Sequence, residues 1–154
     1  LQLLTHRGDL ALFGDELAVG LGTPLAELAH GHVRFGMRAH DKSAPYDWVR
    51  FQWMADFVRT QPGPTVFLGV FRGGYAADHS DYVMQTIETI ASTNGSTVAW
   101  LGPPGQSVLT YGGKLGPHQL FAADDLDIQL GPDESHPTAV GYAGWAGAIW
   151  AWLT

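Results

Sequence analysis

The chain has 154 residues, 45% hydrophobic and 15% charged, a length that gives one domain able to bury about two thirds of its unfolded surface. Fifteen acidic against eight basic side chains leave a formal net charge of −7, and the basic residues are scattered singly, so the mean field repels nucleic acid and anionic membranes. No run reaches the roughly 18 uncharged apolar residues of a membrane span, and the absence of cysteine excludes disulfides, Cys-ligated zinc and thiol catalysis.

The first ten residues have no apolar stretch followed by a small-residue cleavage site, so they do not read as a secretory signal. The chain opens on Leu1, as a processed product or a domain cut from a longer chain would. Asp9 to Phe13 then reads as a short apolar strand ending at Gly14, and Leu17, Leu21, Leu25 and Leu28 follow at helical spacing. His32 to Met37 is a second strand by its alternation. Tyr46 to Thr60 carries Val49, Trp53, Phe57 and Val58 at helical spacing and is stopped by Pro62-Gly63-Pro64.

Thr65 to Phe71 is a continuous apolar run, the pattern of a strand buried on both faces, and Tyr82 to Ser92 supplies Val83, Ile87, Ile90 and Ala91 for an amphipathic helix. Thr97 to Leu101 gives a fourth strand. Gly102 to Asp125 is rich in Gly and Pro and reads as a long loop, with a fifth strand at Leu126 to Leu130. Pro137 to Leu153 closes the chain as a helix with Pro near its start. Strands alternating with helices predict an α/β fold, a parallel sheet covered on both faces within a single domain, residues 1–154.

Two segments carry chemistry. Phe13-Gly14-Asp15-Glu16-Leu17 sits on the first strand-to-helix turn, and Asp133-Glu134-Ser135-His136-Pro137 opens a stretch that runs to Tyr142. This pairing, with Trp100-Leu101-Gly102-Pro103-Pro104 after the fourth strand, resembles the GDSL/SGNH hydrolases, a family of esterases and lipases. The resemblance covers essentially the whole chain. It implies a flavodoxin-like three-layer α/β/α sandwich with a mostly parallel sheet of about five strands.

The resemblance also implies a site in which a serine attacks an ester carbonyl, a histidine takes its proton and an aspartate orients the imidazole. A serine N–H, a glycine N–H and an asparagine side chain then hold the oxyanion. Asp133 and His136 match the acid and base, but Glu16 stands at the serine position. The glycine block falls on His40-Asp41-Lys42-Ser43, which has no glycine and leaves Lys42 in the oxyanion region. The Gly-x-Asn-Asp block falls on Gly69-Val70-Phe71-Arg72, with Phe71 in place of the asparagine. Losing one oxyanion donor costs about 3 to 4 kcal/mol of transition-state stabilisation, and losing the nucleophile costs more.

Glu16 has two readings. It is a carboxylate that attacks carbon or activates water with His136, or it is an ion-pair partner of His136 gaining about 0.3–1 kcal/mol from the helix dipole, and the coupled losses favour the second. Asp133 and His136 then hold the last loop against the sheet. The seven histidines suggest metal candidates at His40-Asp41 and His79-Ser80-Asp81, but no pair has the i, i+4 spacing of a helical zinc motif, so no metal site is predicted. Gly73-Gly74-Tyr75 and Tyr111-Gly112-Gly113 lie on loops at the open strand ends, where Tyr75 and Tyr111 could stack on sugars. Neither has phosphate-cradle spacing, and no cofactor is expected.

Trp145, Trp150 and Trp152 crowd a terminal helix with no charged residue from Ala139 to Thr154, which predicts a protein partner or a second copy of the chain as strongly as it predicts core. The expectation is a catalytically silent domain acting as a structural or binding module that faces carbohydrate, in an extracellular or virion assembly. The alternative is an active hydrolase of esters or acetylated carbohydrate, rebuilt around Glu16 and His136 or using another hydroxyl such as Ser43.

Overall fold

In the computed structural model, which describes Leu4 and residues 8–72, 80–104, 118–123 and 126–154, strands and helices alternate in the order β1 (Asp9–Gly14), α1 (Glu16–Ala29), β2 (Phe35–Ala39), α2 (Pro45–Arg50), α3 (Trp53–Arg59), β3 (Thr65–Val70), α4 (Ser80–Ser92), β4 (Thr97–Leu101), β5 (Leu120–Phe121) and α5 (Ala139–Leu153). The five strands form one sheet in the order β2-β1-β3-β4-β5, and every pairing is parallel. Parallel neighbours need crossovers, and among the described residues α1, then α2 with α3, then α4 supply those that link β1 to β4, on both faces of the sheet.

Alternation along β1 divides the core in two. Leu10 and Leu12 face α1 and α5, where they meet Leu17, Leu21, Leu25, Trp145 and Ile149; Ala11 and Phe13 face the other way, onto Trp48, Met54, Phe57, Met84 and Ile87 of α2, α3 and α4. The result is a three-layer α/β/α sandwich around a mostly parallel sheet. Gly69 makes room for the second cluster: a Cβ there would lie 2.7 Å from the Trp100 ring and 2.8 Å from that of Phe13.

Three expectations are corrected. The helix expected over Tyr46 to Thr60 is two, broken at Gln52, whose left-handed backbone (φ 61°) ends α2 and turns the chain into α3. The fifth strand is Leu120–Phe121, inside the expected loop, because its backbone pairs with Trp100 and Leu101 at the sheet edge. Leu126 to Leu130 forms no strand in the sheet: Leu126 and Ile128 pack beneath it, and Leu130 makes one antiparallel bridge with Pro137.

The tryptophans of α5 turn toward the chain itself. Trp145 is fully buried, while Trp150 and Trp152 are half-buried with rings against His32 and Phe121. The exposed side of α5 carries Val140, Ala143, Gly144 and Ala151.

Candidate functional site

The turn after β1 needs glycine. Gly14 has φ 152°, and a Cβ there would stand 1.9 Å from the Val70 carbonyl oxygen. Asp15 follows as the N-cap of α1: its Oδ1 accepts from the Leu17 N–H at 2.9 Å, and its Oδ2 accepts from the Arg72 N–H at 2.7 Å, which ties the end of β3 to this turn. Burial pushes its carboxyl up to about 6, against the lowering pull of those two amides.

Glu16 begins the helix on the open side of the turn. Its Oε1 accepts from the Lys42 N–H at 2.9 Å, and its Oε2 lies 3.1 Å from His136 Nε2. Burial alone would push this carboxyl up, but the Lys42 amide, its own amide and His136 outweigh it and hold Glu16 at about 2.

The spacing of Asp133 and His136 has a local explanation. Asp133 Oδ1 accepts from the N–H groups of both Ser135 and His136 at 3.0 Å, while Oδ2 binds His136 Nδ1. Glu134 in the left-handed region (φ 58°) lets this turn close. The amides of His136 and Ser135, followed by the imidazole, hold the Asp133 carboxyl well below the usual carboxylate range. Asp133 first and Glu16 second raise the His136 imidazole above its ordinary value. Arg72 completes the group, with Nη1 at 3.3 Å from both Ser135 Oγ and His136 Nε2.

Glu16, Asp133 and His136 therefore converge, and Lys42 joins them through its backbone. Lys42 adopts φ 59°, the left-handed conformation that glycine takes without strain, so its N–H reaches residue 16 although no glycine is present. Phe71 does not join them: its side chain is fully buried against Phe13 and Trp48, because β3 points it into the aromatic core. Arg72, one residue on, is the side chain that reaches the imidazole.

Ser43 is held by two hydrogen bonds. Its hydroxyl donates to the Gly14 carbonyl at 3.4 Å and accepts from Trp48 Nε1 at 3.0 Å, beneath the turn. Tyr75, Tyr111 and His79 lie outside the described residues. His40 stacks flat on Trp53 with ring centroids 3.5 Å apart. Among the described residues no group of three or more His, Asp or Glu side chains is arranged to hold a metal ion.

Sequence reasoning missed two features. Tyr142 lies over Gly20, where a Cβ would meet its ring at 2.1 Å, and burial followed by the field of Asp15, Glu16 and Asp133 pushes its phenol up to about 12. A shallow groove of about 440 Å³ runs beside it between α1 and α5, lined by Val19, Gly20, Pro24, Pro137 and Ala139 among others. The second feature is a buried imidazole: His118, 1% exposed, binds Glu88 through Nδ1 at 2.5 Å and Asp81 through Nε2 at 2.7 Å, and Glu88 also accepts from Trp100 Nε1 at 2.9 Å. Nothing in the spacing of residues 81, 88 and 118 signals it.

No family model matches the chain, and no curated protein matches it. Solved structures do. One is an acetyl xylan esterase, AlAXEase, 15% identical over 94% of this chain and 100% of that one, with a TM-score of 0.71. Another is a member of the lipolytic protein G-D-S-L family from Veillonella parvula DSM 2008, 14% identical over 94% and 97% of the two chains, TM-score 0.67. A third is the C-terminal catalytic domain of Streptococcus pneumoniae peptidoglycan O-acetyltransferase A with a methylsulfonyl adduct, 13% identical over 96% and 93%, TM-score 0.61. At these identities the likeness speaks for architecture, and together with the 2-1-3-4-5 parallel sheet it shows that the chain has the SGNH-hydrolase-like fold.

Proposed function

We propose that this domain is catalytically silent and serves as a structural or binding module. One observation carries the reading: the outer nitrogen of His136, the atom that would take a proton from a nucleophile, already faces the Glu16 carboxylate at 3.1 Å. With Asp133 on the other nitrogen, the imidazole is held between two carboxylates and stays protonated to higher pH, the opposite of what a general base near neutrality needs. Glu16 brings no hydroxyl, and Phe71 brings no donor.

The ligand we assign to the module is carbohydrate. Support comes from the neighbours' names, one a xylan esterase and another a peptidoglycan acetyltransferase, and from the open strand ends and the groove beside Tyr142. The net charge of −7 favours a neutral polymer over an acidic one. In an extracellular or virion assembly, a neighbouring subunit would seat on the small apolar side of α5, at Val140, Ala143, Gly144 and Ala151, since the tryptophans pack inward.

The test is hydrolysis of short-chain aryl esters and acetylated sugars by the purified chain, with His136→Ala as the control for contaminants. No turnover by either protein is expected. Turnover by the wild type that His136→Ala abolishes would overturn the silent reading in favour of a hydrolase rebuilt around Glu16 and His136.

A further inference from the structure

The sheet ends on β2, and the outer side of that strand is open. The Leu10 N–H donates to the Arg34 carbonyl and the His40 N–H to that of Gly14, so the even-numbered residues of β2 turn their backbone groups toward β1. Phe35, Met37 and Ala39 therefore point their N–H and C=O groups outward, where β2 has no second neighbour among the described strands. Met37, 39% exposed, lies on the α1 side, its Cε 3.2 Å from where a Cβ on Gly22 would stand. Arg38, also exposed, lies on the other side, its guanidinium 5.1 Å from the centroid of the Phe57 ring of α3. Positive charge gathers along this stretch. Residues 34–59 hold five of the chain's eight basic side chains, Arg34, Arg38 and Lys42 on or beside β2 among them, against three acidic ones, a net +2 in a chain of −7.

We propose that the outer edge of β2 is a docking site for an extended acidic peptide segment of another protein, which adds one more strand to the sheet. The outward N–H and C=O groups give such a segment its backbone pairing, and alternation gives selectivity. Side chains of the added strand fall in turn beside Met37 and beside Arg38, so the segment that fits carries apolar and acidic residues at alternate positions. A second copy of the chain fits less well, because pairing β2 with itself brings the arginines of the two copies together, and a charge on an edge strand guards against that pairing. The surface shares no side chain with Glu16, Asp133 and His136, so it stands whether or not that site turns over.

The probe is a soluble, acetylated and amidated peptide of alternating Val and Glu, titrated at low ionic strength into the uniformly 15N-labelled chain, with the same peptide carrying Lys in place of Glu as control. The expected result is a saturable shift and slowed hydrogen exchange of the Phe35, Met37 and Ala39 amides, smaller changes at Gly36 and Arg38, and no binding of the Lys peptide. Met37→Pro removes one outward N–H without touching the ladder to β1 and should abolish binding. Arg38→Glu, which keeps the test open should the proline variant fail to fold, should weaken binding on the order of tenfold, and added salt should weaken it in the wild type. No saturable shift at these amides, equal binding of the two peptides, or undiminished binding by a folded Met37→Pro overturns the site. Concentration-dependent dimerisation through the same amides without peptide would assign the edge to a second copy and overturn it equally.

Discussion

His136 Nε2 stands 3.1 Å from Glu16 Oε2, and this contact joins the first helix of the chain to its last loop across 120 residues. Both side chains are partly exposed, so the pair contributes about 1 kcal/mol or less. Its pH window follows from the two shifts. Glu16 is depressed from 4.5 to about 2, so its part is complete above 4.5 and is lost as pH falls toward 2; His136 is raised above 6.5, so its part is complete below 6.5 and is lost as pH rises through the folded value. The stability difference between wild type and Glu16→Gln, read from urea midpoints, should peak between about pH 4.5 and 6.5 and shrink on either side.

Asp15 gives the opposite sign. Its folded value of about 6 lies above the ordinary 3.8, so the stability tied to its neutral form is complete below 3.8 and is lost as pH rises through 6. The loss is at most roughly 3 kcal/mol for a carboxyl this buried. Asp15→Asn keeps an N-cap oxygen for the Leu17 amide and removes the titration. Between pH 4 and 7 the wild type should lose stability relative to Asp15→Asn; parallel curves would show that Asp15 does not titrate there.

Much of the fold was legible because the apolar periods of Asp9–Phe13, Thr65–Phe71 and Thr97–Leu101 are those of strands buried on both faces. The break at Gln52 was not, because a single left-handed residue leaves the apolar spacing unchanged. The edge strand at Leu120–Phe121 was hidden because two residues carry no period, and their place is set by pairing with Trp100 and Leu101. At the site, Gly14-Asp15 and Asp133-x-x-His136 were legible through the resemblance to the GDSL/SGNH hydrolases, since each motif is a short contiguous stretch set by a local turn. The Lys42 amide and the Arg72 guanidinium were not, since their positions depend on where β2 and β3 end.

Glu16→Ser would place a hydroxyl before His136 with the residue 16 and Lys42 amides in place, while the Phe71 side chain stays in the core. A site missing one oxyanion donor loses about 3 to 4 kcal/mol, roughly 10²- to 10³-fold in rate. Trace hydrolysis of an activated aryl ester is therefore expected, lost again when His136 is changed to Ala. Turnover at the level of an ordinary esterase would show that some other group holds the oxyanion.

His118→Ala should destabilise the fold by about 2–4 kcal/mol, because it leaves Asp81 and Glu88 without the imidazole between them and opens a cavity. Chemical denaturation measures it. A cost below about 0.5 kcal/mol would mean that the three groups do not form a closed cluster in solution.

Long-range 1H–15N spectra of the His136 ring across the pH range distinguish a charged partner from a base. With Asp133 and Glu16 on its two nitrogens, both should stay protonated beyond the ordinary 6.5, and Glu16→Gln should lower the midpoint. A midpoint at or below 6.5 in the wild type, with Nε2 free of its proton at neutral pH, would contradict it.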